Sequence, residues 1–291
     1  MNKQRFLSIC AGLASFVFLD ILYDISHIKV QRYHIKSKKI KTPYHFVVLA
    51  DLHGNTFGRD NERLLQKIDE ISPEAVYIAG DMITAHPKEN FDSTLAFLEK
   101  LSKKCPVYYG SGNHEYRMRI DTDKYGDMSE KYEEKLRQMG IVRLYTGSCE
   151  THRKDVRVAG LEIERMYYKK WKLRHMPRRY SVEKLGMADQ DCFTILLAHN
   201  PEFFSNYART GADLVLAGHL HGGIAKLPFI GGVISPRFRL FPQYSGGLYK
   251  KGKSRMIVSR GLGCHTIPVR FLNPCELVDV MVVPSKSSHH S

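Results

Sequence analysis

Seven side chains able to ligate a divalent cation stand just past the ends of short apolar runs in this 291-residue chain. Asp51 and His53 follow the run FVVLA at 46–50, Asp81 follows 75–79, Asn113 follows 107–109, His199 follows 193–198, and His219 and His221 follow 214–217. Taken singly, each has a plain structural explanation: an Asp ahead of a helix caps it, and a His after a strand is commonly a hydrogen-bonded structural residue. Five strand ends contributing to one ligand set are harder to dismiss. Carboxylate, carboxamide and imidazole are the donors of a binuclear centre, one carboxylate can bridge two cations, and the flanking glycines leave room for ions. Two cations about 3.5–4 Å apart hold a phosphate oxygen each and generate a hydroxide between them, so the chemistry on offer is hydrolysis of a phosphorylated substrate.

Such a set needs strands whose carboxyl ends share one rim, where α/β folds place their ligands. The five runs above read as buried strands, and 142–145, 156–161, 255–259 and 276–283 read as further ones. Helical spacing predicts helices over 61–71, through Leu64, Leu65, Ile68 and Ile71, and over 91–101 and 128–139, with Pro73 stopping the first. Strand, crossover helix and strand repeat as in a parallel or mixed sheet covered by helices. No internal repeat divides the chain, so one principal domain over 43–284 is expected, followed by a disordered tail at 285–291.

A hydrophobic content of 43%, 25% charged residues, 22 Gly and 12 Pro exclude collagen-like, wholly disordered and disulfide-scaffold chains. The six cysteines are scattered with no C-x-x-C pair, so most are expected to be buried thiols. A net charge of +14 points to anionic partners: phosphorylated ligands, nucleic acid or acidic headgroups. Residues 6–23, FLSICAGLASFVFLDILY, form an apolar run of about the minimum spanning length, with Asp20 and Asp24 towards one end. They predict a retained membrane anchor, joined by a basic linker to the domain, with 1–42 as the anchor-and-linker unit. A helix packed on the domain or lying in a membrane surface stays open. Lys29, Arg32, Lys36, Lys38, Lys39 and Lys41 outnumber Lys3 and Arg5, which places the body at the cell membrane on its cytoplasmic side; the same cluster also suits acidic headgroups or plain solvation. Deleting 1–28 is expected to release an active, soluble hydrolase, because every candidate ligand begins at Asp51 or later.

The blocks Asp51-Leu52-His53, Gly80-Asp81, Gly112-Asn113-His114-Glu115, His199 and Gly218-His219-Leu220-His221 resemble those of the calcineurin-like metallophosphoesterases over residues 46–283. The resemblance implies an α/β sandwich of two mixed β-sheets flanked by helices, here with an N-terminal hydrophobic helix. It also implies one metal held by Asp51, His53 and His221, another by Asn113, His199 and His219, and Asp81 bridging. Two divalent ions are expected, manganese first, with iron or zinc also accepted by such ligands. By the family pattern His114 is the catalytic residue, stabilising the transition state and protonating the leaving oxygen. Glu115 either orients His114 or faces solvent.

Segments 246–249, 260–263 and 268–271, together with the hydrophobic N-terminus, resemble the membrane-associated YkuE- and YaeI-like bacterial branch; Asn273-Pro274-Cys275-Glu276 departs from its shorter Pro-Glu. The segment 162–191 interleaves Met166, Tyr167, Tyr168 and Trp171 with Lys169, Lys170, Lys172, Arg174, Arg178 and Arg179, a mixture suited to an amphiphilic phosphate compound or to solvation as a basic surface. The expected activity is therefore metal-dependent phosphoester or pyrophosphate hydrolysis at a membrane, on a phospholipid-like or UDP-linked lipid. The alternative is a phosphodiesterase acting on soluble nucleotides or nucleic acid. Expected partners are a phosphorylated small molecule or lipid substrate and membrane lipids; no obligate protein partner is inferred, and nucleic acid ranks lower because no nucleic-acid motif accompanies the basic segment. A non-catalytic scaffold would be expected to have lost ligands.

Overall fold

Strands buried on both faces need continuous apolar runs, and those runs are where the sheet strands form. A computed structural model of the chain describes residues 3–169, 174–223, 225–227, 231–234, 240–264 and 268–285. The elements in order are α1 (Lys3–Ser26), β1 (Ile28–Ser37), β2 (Tyr44–Leu49), α2 (Glu62–Ile71), β3 (Ala75–Ile78), α3 (Asp92–Ser102), β4 (Val107–Gly110), α4 (Asn113–Ile120), α5 (Thr122–Tyr125), α6 (Met128–Gln138), β5 (Val142–Leu144), β6 (Thr146–Glu150) and β7 (Val156–Leu161). They continue with α7 (Tyr180–Leu185), β8 (Phe193–Leu197), α8 (Phe204–Tyr207), β9 (Leu214–Ala217), β10 (Lys226–Leu227), β11 (Gly231–Gly232), β12 (Gly247–Lys251), β13 (Ser254–Val258) and β14 (Cys275–Pro284).

Two six-stranded mixed sheets face each other, ordered β1-β14-β2-β3-β4-β5 and β12-β13-β9-β8-β7-β6. Strands β2 to β5 run parallel in the first, and β7, β8, β9 and β13 run parallel in the second. Alternation along each strand divides the apolar side chains between layers. Phe46, Val48 and Tyr77 meet Ile195, Leu197, Leu214 and Ile257 between the sheets. Val47, Leu49 and Ile78 turn outward onto Leu64, Ile68, Phe97 and Leu136 of the helices on sheet one. On the far side Leu196, Val215 and Met256 pack with Tyr180, Phe204 and Tyr207. This is the flanked two-sheet sandwich that the resemblance implied, and it puts the carboxyl ends of β2, β3, β4, β8 and β9 on one rim.

The stretch expected to be a basic linker is instead part of the body. Residues 28–37 form β1, pairing in parallel with β14 along its full length. The reason is alternation: Ile35 and Ser37 are buried while Arg32, His34 and Lys36 are exposed, so the cations line one face of an edge strand, where they discourage further pairing. Arg32 meets Asp279 and Lys39 meets Asp213, so part of the basic cluster serves internal ion pairs. Helix α1 is exposed along most of its length and is long and apolar enough to cross a membrane. Among the six free thiols, Cys275 is the buried one, Cys10 is exposed and the rest are half-buried, against the expectation of a mostly buried set. Residues 286–291 of the expected tail lie outside the described residues.

Candidate metal centre

The backbone that presents the candidate ligands is left-handed at most of them. Asp51, His53, Asp81, His219 and His221 have φ between 51° and 71°, a region that costs an L-residue about 1–3 kcal/mol and persists only where surroundings enforce it. The enforcement is visible. Asp51, His53 and Gly54 donate their backbone N–H groups to the carbonyls of Gly80, Asp81 and Met82, and Leu262 and Gly263 donate to the carbonyls of Ala50 and Asp51. Glycine is required by close approach at two places: a Cβ at Gly112 would lie 2.2 Å from Asp81 Oδ1, and one at Gly218 would lie 2.4 Å from Asp51 Oδ2. The carboxylates tie the loops together, Asp51 accepting from the N–H of His219 at 3.0 Å and Asp81 from that of His114 at 2.8 Å.

Six of the seven candidates form overlapping clusters: Asp51, His53 and His221 in one, and Asp81, His199 and His219 in another. A third cluster, His53, Asp81 and His114, joins them. His221 Nε2 lies 3.6 Å from Asp51 Oδ1, His53 Nε2 lies 3.8 Å from Asp81 Oδ2, and His199 Nε2 lies 3.1 Å from Asp81 Oδ2. The seventh, Asn113, opens α4 directly after Gly112.

The donors suit cations. His199 donates from Nδ1 to the Ala79 carbonyl at 2.7 Å, and His221 donates from Nδ1 to that of Gly263 at 3.2 Å. Since a carbonyl can only accept, Nδ1 carries a proton in both rings and Nε2 is the atom turned to the cluster, the usual orientation of a ligating imidazole. The Nε2 atoms of His53 and His221 stand 3.2 Å apart, and Asn113 Oδ1 is buried with no hydrogen-bond partner among the described residues. Burial pushes the Asp51 carboxyl up to about 7, with Asp81 adding to the effect. Burial would raise Asp81 too, but His199, His114 and His53 hold it well below the carboxylate range. Burial opposes protonation of His199, yet Asp81 and Asp51 outweigh it and lift that ring to about 9. Buried carboxylates and imidazoles that depend on each other in this way accommodate divalent charge.

His114 faces the cluster from the first turn of α4, its ring centroid 4.9 Å from that of His53. Two donors converge on its Nδ1: the Ala85 backbone N–H at 2.8 Å and the Arg117 guanidinium at 3.0 Å. A backbone N–H can only donate, so the ring's proton is on Nε2.

Glu115 does neither of the things expected of it. Its buried carboxylate accepts from the N–H groups of Asp81, Met82 and Gly112 and from the Tyr109 hydroxyl, clamping the end of β3 to the end of β4. In 162–191 the residues Lys170, Trp171 and Lys172 lie outside the described residues. Of the rest, Tyr167 and Met176 belong to the core, Arg178 is exposed, and the exposed Arg179 faces Glu183. Tyr168 reaches the centre, 5.2 Å from the His219 ring and 6.3 Å from that of His199. Arg270 and Asn273 are buried supports that the motif blocks did not reveal; Arg270 stands in the branch-like segment 268–271, whereas Asn273 stands in the stretch that departs from the branch.

The family model for the calcineurin-like phosphoesterases matches residues 44–223. The chain is 26% identical over 238 residues to the uncharacterized metallophosphoesterase YkuE of Bacillus subtilis, covering 80% of this chain and 77% of that one. It is 26% identical to an uncharacterized metallophosphoesterase of Aquifex aeolicus, covering 88% and 92%, and 24% identical to the phosphodiesterase YaeI of Escherichia coli, covering 76% of each. Among solved structures it is similar to the phosphopantetheinyl hydrolase PptH of Mycobacterium tuberculosis, with a TM-score of 0.43 and 14% identity over 77% of this chain and 92% of that one.

Proposed function

The chain belongs to the calcineurin-like phosphoesterase family and is a metal-dependent phosphoesterase; from that premise we propose that it is a phosphodiesterase whose two divalent ions are held as the family pattern has it. Asp51, His53 and His221 hold one, Asn113, His199 and His219 hold the other, and Asp81 bridges. The observation that carries this reading is the meeting of six of these residues in two clusters joined through His53 and Asp81. When bound, the cations activate water and neutralise charge growing on the phosphoryl oxygens. Manganese is the expected ion, tested by metal analysis of reconstituted protein, which should approach two equivalents per chain.

His114 supplies a hydrogen bond. With Nδ1 occupied by the Ala85 and Arg117 donors, its Nε2–H points a proton at a phosphoryl or leaving oxygen. Releasing that proton would leave an imidazolate, so the geometry favours transition-state hydrogen bonding over the proton donation expected with it.

For the substrate, the rim supports the soluble-nucleotide reading. Tyr168 lies beside the His219 ring, giving aromatic surface next to the metal cluster. The lipid-linked reading, with the protein anchored through residues 6–23 and the body on the cytoplasmic side, rests on the length and apolarity of α1. The test of both is one panel: the manganese-reconstituted enzyme against cyclic and linear nucleotides, a UDP-linked diacyl sugar, phosphatidyl substrates and a bis-aryl phosphate. Hydrolysis of the lipid substrates alone would overturn the nucleotide reading, and no hydrolysis of any diester or pyrophosphate would overturn the phosphodiesterase one. Labelling of an engineered body cysteine by an impermeant reagent in intact cells would reject the cytoplasmic side.

A further inference from the structure

Two acidic residues in an apolar helix invite a question that membrane insertion alone leaves unanswered, because carboxylates are costly near a bilayer. In this chain both are spent on the body. Asp20 accepts from the backbone N–H of Leu272 at 2.8 Å, and the buried carboxylate of Asp24 accepts from that of Asn273 at 2.5 Å. Around them the Phe16 and Phe271 rings meet edge to face, Cys275 donates its thiol to the Ile25 carbonyl, and Arg63 donates to the Ser26 carbonyl at 2.9 Å. The last turns of α1 are therefore fastened to the 271–275 turn at several points.

That turn reaches the metal centre directly. The Asn273 side chain, fully buried, donates to the His221 carbonyl at 2.7 Å and to the Gly223 carbonyl at 2.8 Å, fixing the backbone on both sides of Gly222. Arg270 donates to the Asn273 carbonyl and to the carbonyls of Arg260, Gly261 and Gly263. The Gly263 carbonyl, 2.6 Å from the Arg270 guanidinium, is the same oxygen that receives the Nδ1 proton of His221. Both the main chain and the ring of His221 are thus held by groups that α1 braces, and His221 has the left-handed φ of 52° that needs holding.

We propose that Asp24, with Asp20, is a positioning residue of the metal centre, acting through Asn273 to hold His221, so that the apolar helix is a strut of the site as well as an attachment. This rests on the reading of His221 as a ligand. It also revises the expectation that removing residues 1–28 is harmless to the site: the ligands stay, but the brace goes.

The test uses the full-length chain in detergent micelles with manganese alone as the probe. Calorimetric titration should show Asp24→Ala weakening one of the two metal equivalents by about 10–100-fold, the range for losing a group that orients a ligand. Asp24→Asn, which keeps an acceptor oxygen in place, should restore most of the affinity. Leu13→Ala, on the exposed upper part of α1, should match the wild type. Amide exchange should quicken at 219–223 and 271–273 in the alanine variant. Should Asp24→Ala fail to fold, Asp20→Ala carries the same test with a smaller shift. Manganese affinity unchanged in a folded aspartate variant overturns the proposal. If the wild type itself binds no manganese, the ligand reading fails by that result, and the exchange measurement then decides the brace: unchanged protection at 219–223 overturns it.

Discussion

The two halves of the proposed metal centre are held in different ways. The half that includes Asp81, Asn113 and His199 grows from central strands: His199 leaves β8 and bonds the carbonyl just past β3, while Glu115 locks the ends of β3 and β4 together from beneath. The half that includes His221 depends on the periphery, through Gly263, Arg270, Asn273 and finally α1. A ligand fixed between central strands of the two packed sheets inherits the rigidity of the core, whereas one fixed through loops inherits their lower local stability. The first kind of support lies within the sandwich itself. The second makes one metal adjustable by what happens at the chain's amino-terminal helix.

The largest expected effect is the one that abolishes the distinction. Asp81 stands in contact range of both halves, 3.8 Å from His53 and 3.1 Å from His199. Asp81→Asn should drop bound manganese well below two equivalents and lower kcat by about 10²–10³-fold or more. Metal analysis and turnover on a bis-aryl phosphate check it, and full activity with one metal would remove the bridging role.

Next comes the group that belongs to neither half. His114→Ala should lower kcat by about 10²–10³-fold, as the loss of a transition-state hydrogen-bond donor does, with metal content unchanged. Since its proton is shared and not transferred, the loss should be nearly the same for nitrophenyl and alkyl leaving groups. A loss that grows steeply with leaving-group pKa would restore the general-acid role expected from the family pattern.

Glu115 sharpens the comparison from the core side. Its carboxylate satisfies three backbone N–H groups and a tyrosine hydroxyl inside the protein, so Glu115→Ala leaves buried donors orphaned at a cost of about 3 kcal/mol or more. Thermal unfolding should move down by about 2–4 °C for each kcal/mol in a domain of this size. Both metal equivalents should weaken together, in contrast to the single equivalent expected on cutting the brace. Loss of one metal alone would show that the clamp does not reach across Asp81.

How far this organisation is legible in the sequence follows from the range of each interaction. Strands β2, β3, β4, β8 and β9 are continuous apolar runs because both their faces are buried, and the polar residue that ends each run must sit on the rim. The set of candidate ligands was therefore readable from local pattern. Helix α4 was not, since NHEYRMRI has no apolar stripe and starts at a glycine cap; its charged residues hide a helix whose role is to present His114 and Glu115. Strand β1 was hidden by its lysines, which look like a linker until Ile35 and Ser37 are seen to alternate with them. Glu115 reaches Met82 across 33 residues and Asp24 reaches Asn273 across 249, distances over which periodicity carries no information. The left-handed φ values left a faint trace, the glycines beside Asp81 and His219, but no pattern of residue types required His53 or Asp51 to adopt them.

The smallest expected effect concerns substrate capture over the core-held half. Tyr168 is half-buried beside His219, placed where a base or aryl group entering the metal cluster would meet its ring. Stacking of that kind is worth about 1–3 kcal/mol per base, and a half-exposed ring belongs at the lower end, so Tyr168→Leu should raise KM by roughly fivefold for a nucleotide diester. Turnover at saturation should hardly move, because stacking on the substrate is made equally in the ground and transition states. Tyr168→Phe keeps the ring and should keep KM, which separates stacking from any role of the hydroxyl. For a dialkyl phosphate with no ring to stack, the leucine variant should behave as the wild type. Equal KM increases for ringed and ringless substrates would mean that Tyr168 supports His219 instead of the substrate, and metal affinity should then fall in the same variant. That outcome would also bring the contrast between the halves closer to symmetry, since the core-held ligands would prove to lean on a segment outside the sheets as His221 does.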